Sequence, residues 1–470
     1  MISKLRRLST VLSKPAAERS LDEKLAVSSA LTALEYGVNI LCRIGSTLVL
    51  TRLLSPEIFG LFAIIITFQM IVVMLTDFGV RSLIIISDDY RDPDFIRTCW
   101  TVQLIRGLGI YGCILVIALI LWAVQRAGMT GGDSVYAAPE LAPALAVAGL
   151  QLVLQGSESV NQHVYARQMW FGRICLLNVV RSVISPLLTI AIAWFWPSVW
   201  SLVISGLIAG VVHLVLTYRL FPGAAMGFRL HKAHAKELFD RGKWIMSHSI
   251  LSVATNTADR ILLSAFLPAS TLGIYALATQ MIDIPRQLLS KIEQSVFLQT
   301  FRSLGESGDV AAMRRQYYRY RVPYDALACM AAGGFLTASP ALIDLMYDPR
   351  YAQAGEIMQI LALGLPFMGM GVIREAFSAQ KRFKLMTLMS LIQAGTIWLG
   401  LLVALPVMGS MLGAFLVIAF HRVPELMTLL GLARRENWIV AWKEVRLWPV
   451  ILIGAALGWG VDYLWSLVAP

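Results

Sequence analysis

The chain has 470 residues, of which 57% are hydrophobic and 15% charged, and it carries a formal net charge of +11. Its mean hydropathy of +0.68 is too high for a water-soluble globule of this length. Its apolar segments run without interruption long enough to cross about 30 Å of hydrocarbon at about 1.5 Å per residue, which excludes the short alternating strands of a β-barrel. The positive charge sits in short gaps between those segments, so it reads as membrane topology and argues against a nucleic-acid partner.

Residues 1–26 are basic but have no apolar core ahead of a small-residue cleavage site, so they read as an uncleaved cytoplasmic arm. Thirteen apolar stretches follow, at 27–50, 58–86, 101–125, 140–163, 172–196, 198–218, 244–267, 272–299, 322–346, 354–378, 385–405, 408–431 and 447–468. When the gaps are assigned alternately, beginning inside, the outside gaps hold only Arg52, Arg126 and Arg350. The inside gaps hold every other gap Arg and Lys, the asymmetry expected of a correctly counted multi-span protein. One span more or fewer destroys it. The expected fold is therefore an all-α polytopic membrane protein with a cytoplasmic N-terminus. An N-lobe at 27–218 (spans 1–6) and a C-lobe at 244–431 (spans 7–12) are joined by a cytoplasmic loop at 219–243. A loop and a thirteenth helix at 432–470 follow. No gap can hold a folded domain, so the protein works within or against the bilayer.

An internal repeat supports the two lobes. Leu53-Leu54 followed by Gly60-Leu61-Phe62-Ala63-Ile64 matches Phe266-Leu267 followed by Gly273-Ile274-Tyr275-Ala276-Leu277, at a constant offset of 213 residues. Six spans separate the copies, so the repeat is parallel, with its axis along the membrane normal. The first span carries Ser28, Thr32, Glu35, Asn39, Arg43 and Ser46 on one helical face. The same offset leads to Arg241, Ile245, His248, Ser252, Asn256 and Asp259, again mostly polar. Lipid cannot receive such stripes, so each faces the other stripe, a further helix or water.

Several intramembrane charges are candidates for function. Arg43 has no acid three or four residues away, which leaves either a partner on another span or an anionic ligand in a cavity. Arg181, among Asn178, Ser182, Ser185, Pro186 and Thr189, is in the same position. Glu35 is either a proton carrier or a structural hydrogen-bonding group. Asp77 and Arg81, four residues apart, read as a pair along their own helix, whereas the adjacent Asp259 and Arg260 cannot satisfy each other. In the eighth span Gln280, Asp283, Gln287, Ser290 and Gln294 form a third stripe, with Arg286, Lys291 and Glu293 beside it and Pro285 interrupting it. Asp283 and Arg286 are spaced to pair. Arg374 and Glu375 near a span end read as snorkelling charges. Trp100, Trp194, Trp196, Trp244, Trp438, Trp442 and Trp448 read as interfacial anchors. Cys42, Cys99, Cys113, Cys175 and Cys329 show no metal-ligand or CxxC spacing. No P-loop, HEXXH, GxSxG or kinase signature is present, so no cofactor and no enzymatic activity is expected.

Three segments carry a resemblance. Thr51-Arg52-Leu53-Leu54-Ser55-Pro56-Glu57-Ile58-Phe59-Gly60-Leu61-Phe62 is similar to the "ARLLSPEDFGLF" turn of Wzx-like bacterial polysaccharide flippases. These belong to the multidrug/oligosaccharidyl-lipid/polysaccharide exporter superfamily. Thr76-Asp77-Phe78-Gly79-Val80 resembles their "SDLGL". Ala258-Asp259-Arg260-Ile261-Leu262-Leu263 with Leu272-Gly273-Ile274-Tyr275-Ala276-Leu277-Ala278 resembles their "DRLLLG…LGLYSLA". The resemblance runs from about residue 25 to 430, although twelve or fourteen spans are usual in those relatives.

The resemblance implies two six-helix lobes and alternating access. It also implies flipping of undecaprenyl-pyrophosphate-linked oligosaccharide to the periplasmic leaflet of the bacterial inner membrane, for exopolysaccharide, capsule or O-antigen synthesis. A polysaccharide polymerase or export machinery would be the partner. The expected cationic cavity contains Arg43, Arg181, Arg260 and Arg286, lined by Asn39, Asn256, Gln280 and Gln287; Glu35, Asp259 and Asp283 are candidates for ion coupling. The alternatives are a drug/cation antiporter of the same superfamily, favoured by an acid-dominated cavity, and a membrane polysaccharide polymerase or ligase, which needs a large periplasmic loop.

Overall fold

The computed structural model describes residues 21–76, 79–129, 134–168, 170–293, 310–380, 382–407 and 409–468. Among the described residues the regular structure is helical, with no strand. In chain order the helices are α1 (Leu21–Leu53), α2 (Pro56–Leu75), α3 (Val80–Ile86), α4 (Pro93–Arg126), α5 (Leu141–Ala148), α6 (Leu150–Gly156) and α7 (Asn161–Arg167). Then come α8 (Phe171–Phe195), α9 (Val199–Leu220), α10 (Lys232–Asn256), α11 (Ala258–Phe266), α12 (Ala269–Ile292) and α13 (Val310–Met346). The chain ends with α14 (Gln353–Ala362), α15 (Met368–Ala379), α16 (Phe383–Ala404), α17 (Met411–Phe420), α18 (Val423–Arg435) and α19 (Val450–Val468). Ten helical segments of the described residues are long and apolar enough to cross a membrane, and each coincides with an expected stretch. This is a multi-pass membrane protein.

The described parts of the other three stretches are largely helical but differ in kind. Residues 244–267 and 272–299 fall on α10, α11 and α12, where the polar stripes lower the hydropathy. Residues 140–163 do not form the single expected span: α6 stops at Gly156 and α7 restarts at Asn161. A break at membrane depth needs partners for its freed carbonyls. Gln103 Nε2 donates to the carbonyls of Gln155, Gly156 and Glu158 at 3.2, 3.2 and 3.3 Å. Trp100 Nε1 and the Tyr218 hydroxyl both donate to Ser157 O, at 3.3 and 2.8 Å.

The chain forms two compact units. One comprises residues up to Leu54 with Ile65–Gly131 and Tyr136–Ile250; the other comprises Ser55–Ile64, Gly132–Val135 and Leu251–Pro470. In the N-terminal unit α1 packs along α8, α8 on α9, and α4 on α5 and α6. The α4–α6 contact is glycine to glycine: a Cβ on Gly107 would lie 3.0 Å from Gly156 Cα and 3.1 Å from Leu152 O. The start of the loop after α9 is strapped to α4. Arg97 Nε donates to Ala225 O at 3.2 Å, and Arg229 N and His231 N donate to Thr101 and Thr98 Oγ1 at 3.0 and 3.2 Å.

In the C-terminal unit α13 packs along α19 and on α14. The thirteenth expected span is thus built into this unit. Arg321, with a side chain only 2% exposed, ties it there. Its Nε lies 2.9 Å from Asp325 Oδ2, and it also bonds the Tyr317 hydroxyl and the Glu444 carboxylate. The two sequence-matched turns meet in this unit. A Cβ on Gly60 would strike Ala269 O and Gly273 N, and one on Gly273 would strike Pro56 O and Gly60 N. Gly60 and Gly273, which the sequence match aligns, therefore approach each other closely.

Two expectations are corrected. Arg374 does not snorkel: its Nη1 lies 2.9 Å from Oε1 of the fully buried Glu425, and its Nη2 donates to Ser390 Oγ at 2.7 Å. The tryptophans are not uniformly interfacial. Trp194, Trp196 and Trp442 are exposed, but Trp438 is buried and packs on Phe377 at 4.7 Å between ring centroids. Trp100 bonds the helix break described above, and Trp448 packs on Phe367 at 5.4 Å. Helical amphipathicity does not distinguish an interfacial indole from one turned inward.

Candidate functional site: a cationic cavity in the N-terminal unit

A cavity of about 320 Å³ opens in the N-terminal unit where α3, α4, α6, α7 and α8 converge. Its apolar wall is built from Val73, Val80, Ile110 and Leu152, and its polar wall carries Arg81, Arg106 and Arg181. Gln103, Gln155, Gln162, His163 and Glu158 complete it. Among the described residues three guanidinium groups and one carboxylate line it, an excess of positive charge. The Gly107–Gly156 approach forms part of the wall, since without side chains the two helices bring Arg106 and Glu158 into one cavity.

Local structure explains each charge. Arg106 leaves α4 toward the end of α2, where Nη2 donates to Val73 O at 2.7 Å and Nε to Thr76 Oγ1 at 3.3 Å. These bonds fix its guanidinium before any ligand arrives, which lowers the ordering cost of binding. Glu158 sits in the α6–α7 break, and its Oε2 accepts from Gln162 Nε2 at 3.2 Å. Arg181 is exposed on α8 and acts electrostatically on both Glu158 and His213.

Of the predicted site residues, Arg181 lines this cavity and Arg43 is not among its lining residues. The stripe of α1 is turned to α8: Asn178 Nδ2 donates to Glu35 Oε1 at 3.0 Å, and Asn39 Nδ2 donates to Ser182 Oγ at 3.1 Å. Half-buried Arg43 stands on that face, its carbonyl accepting from Ser46 and Thr47 hydroxyls at 3.1 and 2.7 Å. Asp77 and Gln294 lie outside the described residues, as do the arm before residue 21 and the side chains of Ser28, Arg241 and His248.

The remaining predicted residues belong to the C-terminal unit. Asp259 accepts from the buried Tyr275 hydroxyl, on which Arg260 and Arg286 act electrostatically. Arg286 Nη1 lies 3.7 Å from Asp283 Oδ1, the expected own-helix pair. Asn256 Nδ2 donates to Ser252 Oγ at 3.0 Å, Gln280 is half-buried and Gln287 exposed. Sequence reasoning missed Arg106 and Glu158, although an ionisable residue inside an apolar stretch is itself the signal. It read Arg81 as the structural partner of Asp77.

The family described as "Polysaccharide biosynthesis protein" matches residues 49–354. The succinoglycan biosynthesis transport protein ExoT of Rhizobium meliloti (strain 1021) is 23% identical over 316 residues, 67% of this chain and 61% of ExoT. The chain therefore spans about three fifths of that relative's length. The lipopolysaccharide biosynthesis protein WzxC of Escherichia coli (strain K12) is 22% identical over 351 residues, 73% of this chain and 67% of WzxC. Among solved structures, the lipid II flippase MurJ in an inward closed conformation superposes with a TM-score of 0.68 at 13% identity, covering 94% of this chain and 98% of its own. An inward-facing multidrug resistance MATE family transporter of the MOP superfamily gives 0.67 at 12% identity, covering 85% and 94%. These neighbours establish the fold class.

Proposed function

Since the chain belongs to the polysaccharide biosynthesis family, we propose that it is a flippase for a lipid-linked oligosaccharide. It carries undecaprenyl-pyrophosphate-linked repeat units from the cytoplasmic to the periplasmic leaflet of a bacterial inner membrane, with its N-terminus in the cytoplasm. The observation that carries this reading is the cavity walled by Arg81, Arg106 and Arg181. A diphosphate leaving water needs fixed cations to replace its hydration. Guanidinium groups remain charged when buried and match phosphate oxygens through paired donors. The cavity suits a head group and not a whole oligosaccharide, so the polyprenyl tail remains in lipid while the glycan passes beside the anchored phosphates.

The same fold serves multidrug transporters, but a cavity whose described lining has three arginines and one carboxylate disfavours cationic drugs. A deletion strain complemented with wild type, Arg106→Ala or Arg181→Ala tests the proposal. Lipid-linked repeat units should accumulate on the cytoplasmic face, and wild type alone should restore surface polysaccharide. Normal surface polysaccharide in the deletion strain, with altered sensitivity to cationic drugs, would overturn the flippase in favour of an antiporter.

A further inference from the structure

Behind the cavity, Glu158 meets a second titratable side chain. His213 on α9 is 8% exposed, and its Nε2 lies 3.5 Å from Glu158 Oε1. Its Nδ1 is buried and makes no hydrogen bond. A smaller cavity of about 40 Å³, bordered by Gln151, Gln155, Glu158, Arg181, Ser185 and His213, adjoins the pair, which is room for one water with polar partners. Glu158 and Arg181 border both this cavity and the larger one. Glu158 therefore stands between an arginine exposed to ligand and an enclosed imidazole.

We propose that Glu158 and His213 form a proton-binding site that responds to the anion on Arg181. This rests on the head-group reading above. With the larger cavity free of anion, the Arg181 charge favours the Glu158 carboxylate. A diphosphate on Arg181 cancels that field and adds negative charge nearby, so the pair takes up one proton from water and holds it between carboxylate and imidazole. No other bond forms or breaks. The groups facing the pair are Arg181 from α8, Arg106 from α4, Arg81 from α3, and His163 and Gln162 from α7. Arg181, which acts on both members of the pair, opposes protonation when no anion is bound, and a diphosphate on it weakens that opposition.

Linkage fixes the sign. The anion-bound state holds the proton more tightly, so the anion binds more tightly at low pH and its affinity falls as pH rises. One linked proton limits the change to about tenfold per pH unit. The proton would travel with the substrate and reduce the charge carried across the membrane.

The test uses the purified full-length protein, farnesyl diphosphate as probe and an indicator dye in weak buffer. Wild type should take up about one proton per probe bound, in keeping with the linkage. Glu158→Gln should lose the uptake and flatten the pH profile of whatever binding remains, and Glu158→Asp should recover uptake. Probe binding without proton uptake in wild type would overturn the inference and leave the flippase reading intact. Uptake kept in Glu158→Gln would overturn it too. Failure of wild type to bind the probe at any pH would instead remove the head-group reading, and this inference with it.

Discussion

Arginines occur at membrane depth in both units, but their surroundings differ. In the C-terminal unit three are matched with acid: Arg321 with Asp325 and Glu444, Arg374 with Glu425, and Arg286 with Asp283. In the N-terminal unit Arg81, Arg106 and Arg181 share one cavity with a single carboxylate among the described residues, and that carboxylate also faces His213. The same residue type thus ties helices together in one unit and, on the proposed reading, would receive an anion in the other. Acid within reach decides which. Burial alone does not, because the most buried arginine, Arg321, is the most fully neutralised.

The largest effect should come from breaking a matched charge. Arg321→Met leaves Asp325 and Glu444 buried without their cation, a change that costs about 3–5 kcal/mol. A marked loss of melting temperature in detergent, or of folded protein, is expected. Adding Glu444→Gln should return part of the loss, since the desolvated partner is then neutral. An unchanged melting temperature in Arg321→Met would show that the pair contributes nothing to holding α19 on α13.

In the cavity the order of effects reverses, with function lost and stability kept. Arg181→Ala removes an exposed guanidinium, so its melting temperature should stay near wild type. Hydrogen bonds to charged groups are worth about 1.5–3 kcal/mol, so flipping or diphosphate binding should fall roughly tenfold to a hundredfold. Arg106→Ala should lose as much function and some stability, because it also releases Val73 O and Thr76. Equal transport by wild type and Arg181→Ala would remove this cavity from the transport path.

An intermediate effect is expected where the cavity wall is built. Gly107→Val puts a side chain against the backbone of Gly156 and Leu152, and overpacking of this kind costs about 1–3 kcal/mol. Separation of α4 from α6 should lower melting temperature and transport together, which distinguishes a wall residue from Arg181.

Much of the fold was legible in the sequence because the bilayer imposes simple rules. Continuous apolar runs located ten helices long and apolar enough to span a membrane among the described residues. The glycines aligned by the repeat, Gly60 and Gly273, are the ones that touch. The α6–α7 break was not legible, because the partners that permit it, Gln103, Trp100 and Tyr218, come from helices distant in sequence. The site was half legible. Arg181 announced itself by having no acid on its own helix, a local property. Arg106 and Glu158 acquire meaning only when α4, α6 and α8 converge, and Arg374 found its acid on α18, 51 residues away.

The smallest effects are expected at two of the three acids that the sequence offered for ion coupling, Glu35 and Asp283, the third being Asp259. Glu35→Gln keeps the oxygen that accepts from Asn178, so the α1–α8 contact survives without the charge. Asp283 stands 3.7 Å from Arg286 with both side chains about one-third exposed, and pairs of that kind are worth about 0–1 kcal/mol. Asp283→Asn should therefore move the melting temperature little and leave transport and its pH dependence near wild type, while Glu158→Gln flattens that dependence. The two variants remove one carboxylate from each unit, so measuring them side by side isolates the environment from the residue type. If Asp283→Asn abolished transport at an unchanged melting temperature and Glu158→Gln did not, the coupling proton would belong to the C-terminal unit, and its matched arginines would be the functional ones.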